Sequence, residues 1–256
     1  MRSHVEEQWL RSFRDGDEGE TKLVCFPHAG GVTGAYRTWS TGLPSDIDVM
    51  AVRYPGREER FDDPFPPGLE DLADDIAEAL AELTQHRLVL FGHCMGGWVA
   101  YEVALRLQQQ GRPPAALCVS GRRPPHEPAG SQMRYGSDED IIAHAVSLDA
   151  GSSAVFENPD LREAVLPAIR ADYRLTEEYS GGPRPQLHCP IYGYAGEDDP
   201  EMSPEEMRGW ADITDYSFRL RVLPGGHFYL KSEEATLLPD LRKILDSVKF
   251  DTATFS

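Results

Sequence analysis

The sequence predicts an α/β fold, a mostly parallel, doubly wound sheet interrupted by a helical insertion. Three observations carry this expectation. Short apolar runs of strand length alternate with longer stretches of helical periodicity. A tight turn, Gly92-His93-Cys94-Met95-Gly96-Gly97, joins one such run to a helix. Between Arg122 and about Pro185 the alternation stops, leaving helical stretches without a clear strand.

At 256 residues the chain is long enough for one α/β domain spanning 1–256. Hydrophobic residues make up 40% and no apolar run reaches membrane-spanning length. Residues 1–7, MRSHVEE, do not read as a signal peptide. A cytoplasmic protein with no membrane partner is therefore expected. Cys25, Cys94, Cys118 and Cys189 show no disulfide or metal spacing. Cys25 and Cys118 lie in strand-like runs and are assigned to the core, and a reducing compartment would keep Cys94 usable. A net charge of −18 argues against nucleic-acid binding. It also repels an acidic protein partner, so docking one requires a local basic patch. No P-loop, dinucleotide fingerprint, zinc spacing or repeat is present, and no metal or organic cofactor is implied.

In chain order, residues 1–20 are polar, with Trp9, Leu10 and Phe13 placed to pin a short helix. Residues 23–26 form the first strand and run into Pro27, His28, Ala29, Gly30 and Gly31. A Gly-rich loop after an early strand can turn a backbone N–H toward a developing oxyanion. The donors would be the N–H groups of Ala29 and Met95; a plain strand-to-helix turn is the alternative. His28 has no evident carboxylate or metal partner and is read as structural. Residues 47–53 form the next strand. Arg53, Arg57 and Arg60 then read as a solvated charge run, and as one candidate for the basic patch. Leu69, Leu72, Ala73, Ile76, Ala77, Leu80 and Leu83 recur at helical spacing, with acidic residues largely outside the stripe. This is an amphipathic helix packed on the sheet.

Residues 87–91 read as a buried strand and 98–107 as a helix ending near Gly111. Strand, G-x-nucleophile-x-G and helix together form a nucleophile elbow. Glycines two residues either side of Cys94 let strand and helix approach without Cβ clashes. The Cys94 side chain is then exposed at a helix N-terminus, where peptide dipoles favour negative charge.

Residues 115–120 form the next strand. The insertion, residues 123–185, carries helices over 138–148 and 159–179 with a polar break at 151–153. Following the strand after the elbow, it would sit over the nucleophile as a lid. Ile141, Ile142, Val146, Leu148, Val155, Phe156, Leu161, Val165, Leu166 and Ile169 exceed what two surface helices need. Either some line a tunnel for an apolar chain or all are core. Residues 190–195 resume the sheet and run into Gly196, Glu197, Asp198, Asp199 and Pro200. A carboxylate here fits the chain order nucleophile, acid, base; Asp199 is assigned, with Asp198 as the alternative. Residues 218–223 form the last strand, before Pro224, Gly225, Gly226, His227 and Phe228. From that loop His227 can reach the nucleophile. A helix over 233–248 closes the fold, and the tail 249–256 carries no signal.

These pieces resemble type II thioesterases of polyketide and non-ribosomal peptide assembly lines, which are α/β-hydrolases. The resemblance spans roughly residues 20–247. It rests on Phe26 to Gly31 (FPHAGG), the Phe91 to Gly97 turn, Gly196-Glu197-Asp198-Asp199, Gly225-Gly226-His227-Phe228 and the LPAIRADY stretch at 166–173. It implies removal of acyl or aminoacyl groups from the phosphopantetheine arm of an acyl or peptidyl carrier protein. It implies a Cys94, Asp199, His227 triad with Ala29 and Met95 as oxyanion donors, and docking near the lid entrance, where Arg122 and Arg123 are candidate contacts. The departure is Cys94, where the family normally has serine. An acyl group on cysteine remains a thioester. It can leave to water, to another thiol as in an acyltransferase, or to a nucleophile within the substrate. A non-catalytic acyl binder is the further alternative, against which the retained Asp199 and His227 argue.

Overall fold

The structure is a computed structural model that describes residues 4–14, 19–83, 85–127, 136–179 and 184–250. Residues 128–135 and 180–183 of the expected insertion, and 251–256 of the tail, lie outside the described residues.

Seven strands form one sheet: β1 (Leu10–Ser12), β2 (Thr21–Phe26), β3 (Ile47–Val52), β4 (Arg87–His93), β5 (Ala116–Ser120), β6 (Ile191–Gly196) and β7 (Phe218–Leu223). Their order is β1-β3-β2-β4-β5-β6-β7. Every neighbouring pair is parallel except β1 with β3. The helices are α1 (His4–Trp9), α2 (Arg37–Gly42), α3 (Leu69–Ala81), α4 (Met95–Gln109), α5 (Asp138–Leu148), α6 (Ser153–Glu157), α7 (Pro159–Glu178), α8 (Pro204–Met207), α9 (Tyr229–Ser232) and α10 (Glu234–Phe250). Among the described residues none is long and apolar enough to cross a membrane.

Every residue of β2, β3 and β5 is buried, as expected where helices cover both faces of a parallel sheet. The two-residue period of a strand sorts the side chains. Val24, Phe26 and Leu90 pack with α3 and α4. Leu23, Cys25, Val89, Phe91 and Cys118 pack with Trp39 of α2 and Leu241 and Leu245 of α10. The expected core positions of Cys25 and Cys118 are thus observed.

The N-terminal expectation is only half met. Trp9 ends α1, but Leu10 begins a strand, because Leu10 to Ser12 pair antiparallel with Val52 to Met50 and Arg53 N–H donates to Trp9 O at 2.7 Å. The arginines after β3 also differ from the solvated run expected of them. Arg57 and Arg60 are buried. Arg60 lies over the Trp9 ring at 3.7 Å and donates to Asp63 at 2.7 Å and to Arg53 O at 3.1 Å. Their charges are spent inside the fold, so these two do not form an exposed basic patch.

Between β5 and β6 the described residues hold α5, a 3₁₀ turn at Ala150–Ser152, α6 and α7, and no strand. The break expected at 151–153 is that turn leading into α6. Ser137 and Asp140 cap α5 reciprocally, and Asn158 with Pro159 starts α7. Ile141, Leu166, Ile169 and Tyr173 close a small core between α5 and α7.

The elbow spacing has a measurable cause. A Cβ on Gly92 would sit 2.1 Å from Gly96 O, and one on Gly96 would sit 2.1 Å from Phe26 O. Strand β4, helix α4 and the end of β2 touch backbone to backbone here. Gly96→Ala should therefore destabilise the fold by about 3 kcal/mol through overpacking against backbone that cannot yield; chemical denaturation against the parent measures it.

Candidate active site

Cys94 occupies the junction of β4 and α4 with φ 55° and ψ −124°. A non-glycine residue held there costs about 1–3 kcal/mol and persists only where its surroundings over-determine it. They do so here. Its N–H donates to Ser120 O at 2.9 Å, and Gly97 N–H donates to Cys94 O at 2.9 Å. Gly92 is paired with Phe26 of β2 on one side and Val119 of β5 on the other. The side chain is half-buried at the N-terminus of a 15-residue helix.

His227 and Asp199 reach this point from the loops after β7 and β6. His227 Nδ1 lies 2.8 and 3.0 Å from the two Asp199 oxygens, and both side chains are buried. Asp198 is exposed, and its N–H donates to Gly225 O at 3.0 Å. The structure thus separates the two adjacent carboxylates: Asp199 holds the imidazole. Burial pushes the Cys94 thiol up, but the His227 charge, with smaller help from Arg122 and the Met95 N–H, brings it below its ordinary value. Burial alone would lower His227, but the Cys94 charge and the Asp199 hydrogen bond raise it to about 10. Each of the two groups thus favours the charged form of the other. Cys25, Cys118 and Cys189 are pushed up by burial.

Two further histidines lie close to this pair. His93 is fully buried with its ring centroid 4.9 Å from that of His227. Its Nδ1 lies 2.9 Å from Ser120 Oγ, which lies 2.5 Å from Tyr229 Oη. Burial and the His227 charge hold His93 well below the usual imidazole range. His28, read as structural, lines the pocket edge-on to Phe228 at 4.7 Å, and burial lowers it to about 3. Both rings are therefore neutral beside His227.

The loop from Pro27 to Gly31 is held on several sides. Tyr36 Oη donates to Phe26 O at 3.1 Å and Tyr54 Oη to Pro27 O at 3.2 Å. Glu58 accepts from Thr33 N–H at 3.0 Å and from Thr33 Oγ1 at 2.7 Å. Asp172 accepts from Gly30 N–H at 2.7 Å, and Arg57 donates to Gly31 O at 3.2 Å. Ala29 lies on the pocket wall between these fixed points, on the same pocket as Cys94. The Met95 N–H is the first of α4, directly after Cys94.

Over Cys94 lies a cavity of about 530 Å³, within the range of small-molecule sites. Leu148, Val155, Phe156, Val165 and Ile169 give it an apolar wall. Of the remaining apolar residues singled out in the insertion, Ile141 and Leu166 are core and Leu161 is exposed, so the set divides between cavity wall, core and surface. Trp98, Arg122, Arg123, His144, Tyr173, Glu177 and Glu201 give the cavity polar or amphipathic walls. Arg122 lies over the Trp98 ring at 3.4 Å, and Arg123 is 3.2 Å from Glu206. Among the described residues no group of three or more His, Cys, Asp or Glu is arranged to hold a metal ion.

Comparison with known proteins identifies the family. A family profile described as "Thioesterase domain" matches residues 21–245. The probable cadicidin biosynthesis thioesterase of Streptomyces griseus is 39% identical over 223 residues, 87% of this chain; the chain spans 62% of that relative's length. Thioesterase PikA5 of Streptomyces venezuelae is 34% identical over 235 residues, 91% of this chain and 84% of that protein. The solved structure of the type II thioesterase BorB from the borrelidin biosynthetic cluster superposes with a TM-score of 0.84 at 36% identity, covering 96% of this chain and 99% of that one.

The charge state of Cys94 is open to direct measurement. A lowered thiol pKa puts thiolate in place at lower pH, so the inflection of iodoacetamide alkylation should fall below that of an ordinary cysteine. In His227→Ala the burial remains and the neighbouring charge is gone, so the inflection should move upward. Alkylation rates across pH, read by mass spectrometry, test both.

Proposed function

Because the chain belongs to the thioesterase family, we propose that it hydrolyses acyl thioesters carried on the phosphopantetheine arm of an acyl or peptidyl carrier protein, through a covalent acyl-Cys94 intermediate. The observation that carries the reading is Cys94 at a strained helix N-terminus beside an imidazole whose far nitrogen is held by a buried carboxylate. Likeness to type II thioesterases of biosynthetic assembly lines supports the substrate class.

The chemistry follows from the charges. The Cys94 thiolate attacks the thioester carbonyl, forming a carbon–sulfur bond and moving the carbonyl electron pair onto oxygen. The N–H groups of Ala29 and Met95 are the proposed donors to that oxyanion. Collapse breaks the bond to the arm's sulfur, which takes the proton from His227. The neutral imidazole, oriented by Asp199, then removes a proton from water as the water attacks the acyl-cysteine. Collapse of this second intermediate releases the acid and restores thiolate and imidazolium. No cofactor of the protein's own enters. The apolar wall from α5, α6 and α7, acting as a lid, suits the acyl chain, and Arg122 and Arg123 supply positive charge suited to the arm's phosphate.

The cysteine itself favours a second reading. Transfer from one thioester to another is nearly isoenergetic, so the acyl-enzyme stays activated and a second thiol can compete with water. An acyltransferase or shuttle then follows from the same residues.

Intact-protein mass spectrometry with acyl-loaded carriers decides between them. Hydrolysis predicts a transient adduct on Cys94 with free acid accumulating, and Cys94→Ala should lose at least about 10³-fold in rate. An adduct that discharges only when a thiol is added supports transfer. No adduct and no turnover by the folded protein would overturn both. Val155→Phe, which fills the apolar wall, should shift preference toward shorter acyl chains, seen as the change in kcat/KM along a chain-length series.

A further inference from the structure

We propose that the buried Arg57–Asp172 pair is a positioning device that ties the oxyanion loop at Ala29 to the seat of helix α7. The inference rests on the reading of Ala29 as an oxyanion donor. It adds that the donor is in place only while α7 is.

Arg57 follows β3 and Asp172 lies in α7, 115 positions later. The two are 7% and 3% exposed. Arg57 Nη1 and Nη2 donate to Asp172 Oδ2 and Oδ1 at 2.7 and 2.8 Å, a bidentate pair. The same Oδ2 accepts from Gly30 N–H at 2.7 Å, and the same Nη1 donates to Gly31 O at 3.2 Å. The Ala29–Gly30 and Gly31–Val32 peptide groups are thus held by the two halves of one ion pair. Gly30 has φ +74°, and a Cβ there would sit 2.6 Å from Ile169 Cγ1, so α7 also packs directly on this loop.

A glycine pair beside a catalytic N–H is free to rotate unless something holds it. Here a charged hydrogen bond holds it, made in a buried place where it is strong. The charge is tolerable there only because its partner is present: removing either member alone leaves an uncompensated buried ion. Outward movement of α7 would carry the carboxylate away from Gly30 N–H and strand Arg57. The same helix brings Val165 and Ile169 to the cavity wall. Seating the acyl chain under α7 and aiming the Ala29 N–H are therefore one event. Neither Arg57 nor Asp172 touches the reacting atoms.

The test compares the parent, Asp172→Asn and the double variant Arg57→Met/Asp172→Leu. The double variant replaces a buried pair by apolar side chains, which folds generally tolerate, and leaves Gly30 N–H without its acceptor. Three quantities are read: kcat and KM on an acyl-N-acetylcysteamine thioester, the rate of Cys94 alkylation by iodoacetamide, and affinity for the matching acyl aldehyde. The aldehyde adds the Cys94 sulfur to its carbonyl carbon, and its oxygen occupies the oxyanion position. Alkylation needs the thiolate but no oxyanion site.

Loss of one aimed donor predicts that kcat of the double variant falls roughly 10- to 100-fold, with aldehyde affinity falling in parallel. KM should change by less than about threefold and alkylation by less than about twofold. Asp172→Asn keeps an oxygen for Gly30 N–H and should fall by roughly threefold to tenfold. Parent-level kcat and aldehyde affinity in either variant that folds overturns the proposal. So does alkylation falling in step with kcat, since that marks general damage to the site. A parent that turns over no thioester sinks the hydrolase reading instead, while aldehyde affinity still reads the loop.

Discussion

The backbone at Cys94 is the constraint on which the rest depends. A residue at φ 55° survives there because β4 is paired on both sides and the start of α4 is pressed against the end of β2. That enclosure sets the direction of the thiol, the position of the first α4 N–H and the line along which His227 must approach. The central strands are buried throughout, so the site stands on the least deformable part of the molecule.

Electrostatics act on that frame by opposition. Burial works against charge on both Cys94 and His227, and each favours the charged form of the other. Asp199 fixes the far nitrogen, while His93, packed on the imidazole, and His28 nearby are held low by burial and do not compete for its proton. Thiols buried without such a neighbour are pushed up, as Cys25 and Cys118 are.

Much of this was legible in the sequence where the signal is local. The elbow is six consecutive residues, His227 sits in a Gly-rich loop after a strand, and the α3 stripe repeats at helical spacing. Asp198 and Asp199 could not be separated, because which of two adjacent carboxylates faces inward is set by Asp198 N–H bonding to Gly225 O. Arg57 was read as solvated because its partner lies 115 positions away, in a stretch noticed only as family-like. The N-terminal strand was missed because three residues carry no period of their own; the edge of β3 makes them a strand.

The walls of the cavity are unequal in what else they do. Leu148, Val155 and Phe156 lie on α5 or α6 and meet the cavity, whereas Ile169 packs on Gly30 and its near neighbour Asp172 holds that residue's N–H. On the proposed function, chain preference can change through α5 and α6 with the reaction left intact, while α7 serves both the wall and the loop. A lineage adapting this fold to new chains would drift fastest in the first two helices and hold the third still.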